Sequence, residues 1–384
     1  MQRNPSGLSL ASDHHESRAV DKHVPSTKEV RSAIPEECFE RSTVISLAYA
    51  FLSVSLTLAT SVLAWLYIPV AWVWAPAWIA YSLVAGTVGT GVWVAAHECG
   101  HGAFSNNKKL GNAVGFVLHS ALLVPYFSWQ RSHAVHHAKT NHLTEGETHV
   151  PKQAESGRGR QTTRLYNRIG APAYGVLAIA VRLGVGWPLY LITGTTGSPD
   201  RGLTNHFWPW APFSSSLFPK RLAPKVLLSS VGVLATLLLL GSWALVAGSV
   251  TPVLLVYVGP YLVVNAWLVT YTWLQHTNQD IPHYADDGWS FVKGAFCSVD
   301  RPYGRLFNFL HHNIGSTHVV HHLNSAIPHY RAVKATEAVR KAFPGLYRFD
   351  PTPIPVALWR AGTSCVVVVE QEDEWVYEIP SQNV

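Results

Sequence analysis

The sequence predicts an all-α integral membrane protein, with four transmembrane helices as two hairpins, interfacial helices and a cytoplasmic helical cap holding a histidine-rich site. Three observations predict it. First, residues 42–97 and 226–279 contain no Asp, Glu, Lys or Arg, and each stretch is long enough for two helices of about 20–25 residues across a ~30 Å hydrocarbon core. Second, all 29 Lys and Arg fall in residues 1–42, 97–225 and 280–384. By the positive-inside rule those segments are cytoplasmic and only two short hairpin turns reach the other side. Third, histidines cluster just beyond the apolar segments: His97 and His101; His133, His136 and His137; His318, His321 and His322.

The elements follow in chain order. Residues 1–42 read as a polar cytoplasmic tail, expected to be mobile to about residue 25. No signal peptide is expected, because this stretch lacks an apolar core and carries acidic residues. Ser26-Thr27-Lys28-Glu29 matches a capping box and predicts a short helix. The spans are roughly 44–67 and 71–95, broken at Ile68-Pro69-Val70, then 226–247 and 253–275, broken at Gly248 to Pro252. Residues 110–129 are short and interrupted by His119 and Pro125, and residues 171–196 carry Arg182 and Pro188. A central arginine is costly in lipid, so both read as interfacial or re-entrant. Residues 152–168, basic and glycine-containing, read as an exposed loop. Residues 331–343 predict an amphipathic helix stopped by Pro344-Gly345. The domain reading is a tail at 1–42, a catalytic unit at 43–360 and a cytoplasmic tail at 361–384. Cys38, Cys99, Cys297 and Cys365 lie far apart on the cytoplasmic side, where structural disulfides are not expected.

On a helix, residues at i, i+3 and i+4 share one face. His97 and His101 are spaced i, i+4, and the other two clusters i, i+3, i+4. Three helical stretches therefore each present imidazoles on one side. Eight ring nitrogens exceed the four ligands of one tetrahedral zinc and suit two metal ions, for which imidazole is a good iron, zinc or copper ligand. Two rival readings use the same residues. His97-Glu98-Cys99-Gly100-His101 satisfies the HExxH pattern of zinc peptidases, with Glu98 as general base. That chemistry needs one further ligand, whereas six more histidines are present. A zinc transporter would place its site near the membrane midplane on spanning helices, whereas these clusters follow the spans.

A metal site at a membrane surface can use O₂ to attack an unactivated C–H bond of an acyl chain, chemistry that a cofactor carries while the protein positions the substrate. Beyond the histidines, the chain carries Ile34-Pro35, Cys38-Phe39 with Arg41-Ser42, LHSALLVPYFSW at 118–129, Leu274-Gln275-His276-Thr277 followed by Pro282-His283-Tyr284, SVDRPYG at 298–304 and IPHYRAVKATEA at 327–338. From about Ser26 to Arg360 it resembles the membrane fatty acid desaturases, of the acyl-lipid Δ12 (oleate) type. The resemblance implies a di-iron centre on the eight clustered histidines, with O₂ as co-substrate. It also implies a ninth ligand, for which His276 and His312 are the candidates, and removal of two hydrogens from adjacent methylenes to leave a cis double bond and water. It implies phospholipid-bound acyl substrate, electrons from cytochrome b5 and NADH-cytochrome b5 reductase, and a multi-pass endoplasmic reticulum location. No nucleic-acid partner is expected.

Trp93, Tyr126, Phe127, Trp129 and Trp273 are candidates to line an acyl tunnel or to anchor at the interface. Departures from the Δ12 pattern surround the clusters: Gly102, TNHLTEGETHVP at 140–151, and Gly315-Ser316. The stretch HHNIGSTH at 311–318 leans toward the ω-3 type. An ω-3 or bifunctional Δ12/ω-3 desaturase, or a hydroxylase, epoxygenase or acetylenase on the same scaffold, is the alternative within the class.

Overall fold

A computed structural model describes residues 23–380, so the polar stretch before residue 23 lies outside the described residues. Helix α1 (Thr27–Ala33) opens with the expected capping box, Ser26 accepting from the Glu29 N–H and Glu29 from the Ser26 N–H. Helix α2 (Thr43–Tyr67) ends at Ile68, where the following proline disfavours helical backbone. Helix α3 (Ala75–His101) runs through the whole first histidine cluster. It stops at Gly102, which takes the left-handed φ of 71° that glycine adopts without steric penalty. Helices α4 (Lys108–Ala121) and α5 (Tyr126–Ala138) meet at a 104° bend, with Pro125 at the N-cap of α5.

Residues 152–168 depart from the expected loop. Helix α6 (Gly157–Ile169) forms there, its Ser156 side chain accepting from the Gly159 N–H at 2.9 Å. A Cβ on Gly159 would collide with the carbonyl oxygens of Gln153 and Ala154. The glycine that suggests a loop is a packing requirement of this helix start.

Helix α7 (Ala171–Val181) continues through a π-helical segment, Arg182–Gly186, into α8 (Trp187–Thr193). Helix α9 (Ala223–Val246) is followed by α10 (Thr251–Val253), a second π-helical segment (Leu254–Val258) and α11 (Gly259–His276). After α11 come α12 (Phe291–Ala295), α13 (Gly304–Leu310), α14 (His318–Leu323), α15 (His329–Ala342) and α16 (Ile354–Ser364). The all-α expectation needs one correction. Strands β1 (Val367–Gln371) and β2 (Glu374–Glu378) form an antiparallel hairpin, for which the β-branched run Val366 to Val369 is suited. The hairpin bridges two loops. The Val368 backbone exchanges hydrogen bonds with Lys152 and Ala154, and that of Trp375 with His283.

Five helical stretches are long and apolar enough to cross a membrane: Thr43–Tyr67, Trp72–His101, Ala171–Thr193, Lys220–Val246 and Thr251–His276. The bent α4–α5 pair brings the number to six if it counts as one span. The stretch expected to be interfacial, 171–196, is thus long and apolar enough for a span. Its Arg182 guanidinium lies 4.4 Å from the centroid of the Trp273 ring, one turn from the end of α11. Leu238 and Leu239 on α9, and Phe51 and Leu66 on α2, are exposed, as a lipid-facing surface requires.

Helix α3 packs between α2 and α11. Gly86 lets α11 approach closely, because a Cβ there would meet the Pro260 carbonyl and Val263. Small residues at a helix crossing serve this purpose in membrane proteins. Gly86→Ala is expected to destabilise the fold by about 1–3 kcal/mol through overpacking. Gly241→Ala, where nothing lies within 4 Å of the added Cβ, should be neutral or stabilising by up to ~1 kcal/mol. Thermal unfolding of the two variants in detergent checks both.

Candidate metal centre

Each histidine cluster reaches the site by a different local route. His97 and His101 sit on the last turn of α3, before Gly102. His133, His136 and His137 occupy the C-terminal half of α5, and His318, His321 and His322 make up one face of the short α14. His276 is the last residue of α11. These nine side chains converge. His97, His101, His133, His137 and His321 bring ligand nitrogens within 4.8 Å of one another, and His136, His276 and His322 do the same beside them. His318 joins the second group, its Nε2 lying 2.9 Å from that of His276.

The spacing carries chemical information. Nε2 atoms face Nε2 atoms: His97–His133 at 2.9 Å, His97–His101 and His133–His137 at 3.2 Å, His136–His276 at 3.1 Å. Two imidazole nitrogens bound at right angles to one metal at about 2.1 Å lie about 3 Å apart. The Nε2 atoms of His321 and His322 are buried without a hydrogen-bond partner, which is costly unless something binds them. Burial, together with the neighbouring histidines, holds His318, His321 and His322 well below the usual imidazole pKa. They are therefore neutral, the form that ligates metal. Five nitrogens in one group and four in the other fit two metal ions.

Residues around the clusters fix ring orientation. The His136 Nδ1–H donates to the Glu147 carbonyl oxygen at 2.7 Å, which leaves Nε2 with its lone pair inward. Glu147 itself is buried, accepts from the Tyr190 hydroxyl at 2.8 Å and pairs with Arg201. The Thr140 hydroxyl donates to the His136 carbonyl, so it accepts from His322 Nδ1 at 2.9 Å. Asp300 holds α14, its carboxylate accepting the Val319 N–H at 2.9 Å and the Tyr347 hydroxyl at 2.7 Å. Burial pushes the Asp300 carboxyl up to about 6. Such hydrogen bonds orient metal ligands and set their tautomers. Trp93 stacks on His97 at 5.3 Å and Trp129 on His133 at 4.7 Å.

The structure does not bring every expected residue to the centre. His312 lies outside both groups. Its Nε2 is 2.9 Å from Ser53 Oγ, and its ring packs against Tyr49 and His329. Glu98 is placed for capping rather than for catalysis. Its carboxylate accepts the His329 N–H at 2.9 Å, on the Nδ1 side of His97. A peptidase general base would have to face the metal. Cys99 points away, toward Gly115. Of the candidate tunnel aromatics, Trp93 and Trp129 line a cavity that reaches His133 and His136. Trp273 lines an adjoining cavity, whereas the Tyr126 hydroxyl donates to Asn112 and Phe127 stacks on Phe116. Sequence reasoning missed Thr140, Glu147 and Asp300. Thr140 carried a signal, standing at i+4 from His136; Glu147 carried none.

The fatty acid desaturase family model matches residues 72–351. A Delta(12) fatty acid desaturase of Calendula officinalis is 41% identical over 350 residues, covering 90% of this chain and 88% of the relative. An omega-6 fatty acid desaturase of Glycine max, named as an endoplasmic reticulum isozyme, is 40% identical over 349 residues, covering 89% and 87%. An oleoyl-12-hydroxylase of Ricinus communis is 38% identical over 363 residues, covering 91% and 90%.

Thr140→Val removes the hydrogen bond to His322 while keeping the side-chain volume. Metal affinity is expected to fall by about 10–100-fold, the usual loss when a ligand's orienting partner is removed. Metal analysis of purified protein at matched expression gives the measurement.

Proposed function

The chain belongs to the fatty acid desaturase family, and from that premise we propose that it inserts a cis Δ12 double bond into oleoyl chains on phospholipid, giving linoleoyl lipid. The convergence of nine imidazoles beside an apolar cavity carries the reading. The clustered histidines 97, 101, 133, 136, 137, 318, 321 and 322 would hold two iron ions, with His276 as the ninth ligand in preference to His312. When bound, iron supplies O₂ activation and the removal of hydrogen from an unactivated methylene.

The chain's own residues do the rest. Glu147, Thr140 and Asp300 keep ring lone pairs aimed inward. Trp93, Trp129 and Leu268 wall the cavity beside His133 and His136, keep water from it, and hold the acyl chain to a fixed register. Misplacement by an ångström would change the carbon attacked or slow the step. The catalytic unit read at residues 43–360 takes in α16 to Ser364 and the C-terminal hairpin packed on residues 152–154 and His283, and the basic segments support a cytoplasmic side for the histidine clusters and both termini at the endoplasmic reticulum. Electrons come from cytochrome b5 and its reductase, steered by the basic cytoplasmic face. The hydroxylase relative favours one second reading: hydroxylation at the same carbon.

Expression in a eukaryotic host that makes oleate but no polyunsaturated acids, and that supplies cytochrome b5, tests the proposal. Linoleate is expected from the intact chain and not from His318→Ala. A hydroxy acid would transfer the reading to hydroxylation; no new product at normal membrane expression would overturn it. His276→Ala should lose activity and bound iron, whereas His312→Ala should keep iron near the wild-type ratio. Raising ionic strength from 0.05 to 0.5 M should slow reduction by cytochrome b5, because exposed charges are screened within about 10 Å at 0.1 M; stopped-flow spectroscopy of the carrier reads this.

A further inference from the structure

Arg182 is the one charged residue in the middle of a candidate span. Among the described residues it makes no ion pair; its guanidinium lies 4.4 Å from the centroid of the Trp273 ring, one turn before His276 and so level with the histidine centre. A cation covered by protein in this way normally has an anionic partner. It faces a cavity of about 610 Å³, which Lys152 and Arg158 also line. The Lys152 ammonium donates to Thr162 Oγ1 at 2.8 Å and has no carboxylate partner. Burial, with Arg182 and Arg158 nearby, brings it down to about 8. Arg158 and Arg160 stand in the first turn of α6, which holds no acidic residue and where the positive end of the helix dipole disfavours cations; Arg160 donates to the Glu155 carbonyl oxygen. One carboxylate, the exposed Asp200, lines the same cavity. The cavity is therefore rich in unmatched positive charge.

Its position gives that charge a use. His149, Arg182 and Thr196 line both this cavity and the narrow one that reaches His133 and His136. The two cavities adjoin across these residues, the outer one cationic and the inner one apolar. His149 stands at the junction, its Nε2–H donating to Thr272 Oγ1 at 3.0 Å, since that hydroxyl donates to the Leu268 carbonyl, and its buried Nδ1 unpartnered.

We infer that the outer cavity is the binding site for the phosphodiester of the phospholipid that carries the acyl chain, held by Arg182, Lys152 and Arg158. This rests on the desaturase reading and locates the headgroup of its phospholipid substrate. Guanidinium is the side chain best matched to phosphate. Anchoring the phosphate would set how far the chain reaches past His149, and so which methylenes stand beside the histidines.

The test uses the full-length, iron-loaded enzyme in detergent, titrated with dihexanoyl phosphatidylcholine, dihexanoylglycerol and oleoyl-coenzyme A. The phospholipid is expected to bind tighter than the uncharged glycerolipid. Arg182→Gln and Lys152→Gln should each weaken phospholipid binding by about tenfold, the loss expected for one charge-assisted hydrogen bond. Glycerolipid affinity and iron content should not change, and Arg182→Lys should keep most of the binding. Lys152→Gln and Arg158→Gln, outside the spans, keep the proposal testable should Arg182→Gln misfold. Equal affinities for phospholipid and glycerolipid, phospholipid binding indifferent to all three cations, or charge-dependent binding of the coenzyme A thioester alone would overturn it. Oleate conversion measured on the same wild-type sample separates the two readings. Phospholipid binding without product would retire the desaturase reading and leave the phosphate site standing; product without charge-dependent binding would do the reverse.

Discussion

Nine neutral imidazoles, seven buried and two half-buried, with their nitrogens turned toward one another form the constraint on which the rest of this structure depends. Lone pairs about 3 Å apart repel, and buried acceptors without donors are costly. The arrangement is favourable only around cations, so the cluster is a folding element as well as a reactive one. Its geometry dictates where helices must end. Helix α3 stops one residue after His101 and α11 stops at His276. Helix α14 is only six residues long, yet it places three imidazoles.

Short, precise elements need external support, and the surrounding chain supplies it. Asp300 ties α14 to Tyr347, and the neighbouring Arg301, itself buried, donates to the Leu274 carbonyl and pairs with Asp350 at 2.6 Å. The segment SVDRPYG thus couples the end of α11 to the start of α14. The loop at Glu147 does the same for α5, held through Tyr190 and Arg201. These contacts lie far apart in sequence, so the centre is assembled by tertiary structure that no single motif encodes.

Much of this was legible because the histidine spacings sit on real helices, where i, i+3 and i+4 do share a face. The long uncharged stretches likewise became α2, α3, α9 and the α10–α11 unit. Other features depend on packing that periodicity does not record. His276 and His312 look equivalent as sequence; a left-handed turn, with φ of 53° at His312 and 60° at Asn313, directs His312 to Ser53. Arg182 argued for an interfacial segment, and its contact with Trp273 on α11 was beyond what periodicity could record. Gly157 and Gly159 disguised a helix. The number of crossings is constrained by the cluster itself. His101, before α4, and His137, at the end of α5, meet, so the α4–α5 pair leaves and returns on one side; His136 meets His276 as well, so the chain between them crosses an even number of times, which α9 and the α10–α11 unit satisfy without α7–α8.

The C-terminal hairpin has a consequence in time. Strand β1 closes against residues 152–154 and β2 against His283, pairings more than 200 and about 90 residues apart in sequence. Contacts of such separation form late, and a membrane chain emerges from the ribosome N-terminal end first. The helices that bear the histidines can pack before the hairpin has been synthesised. Through most of its biogenesis the wall formed by Cys365, Val366 and Tyr377 beside the cationic cavity would therefore be missing. The molecule would complete that wall only after every histidine-bearing helix has been made, which makes the integrity of the hairpin a late checkpoint on maturation.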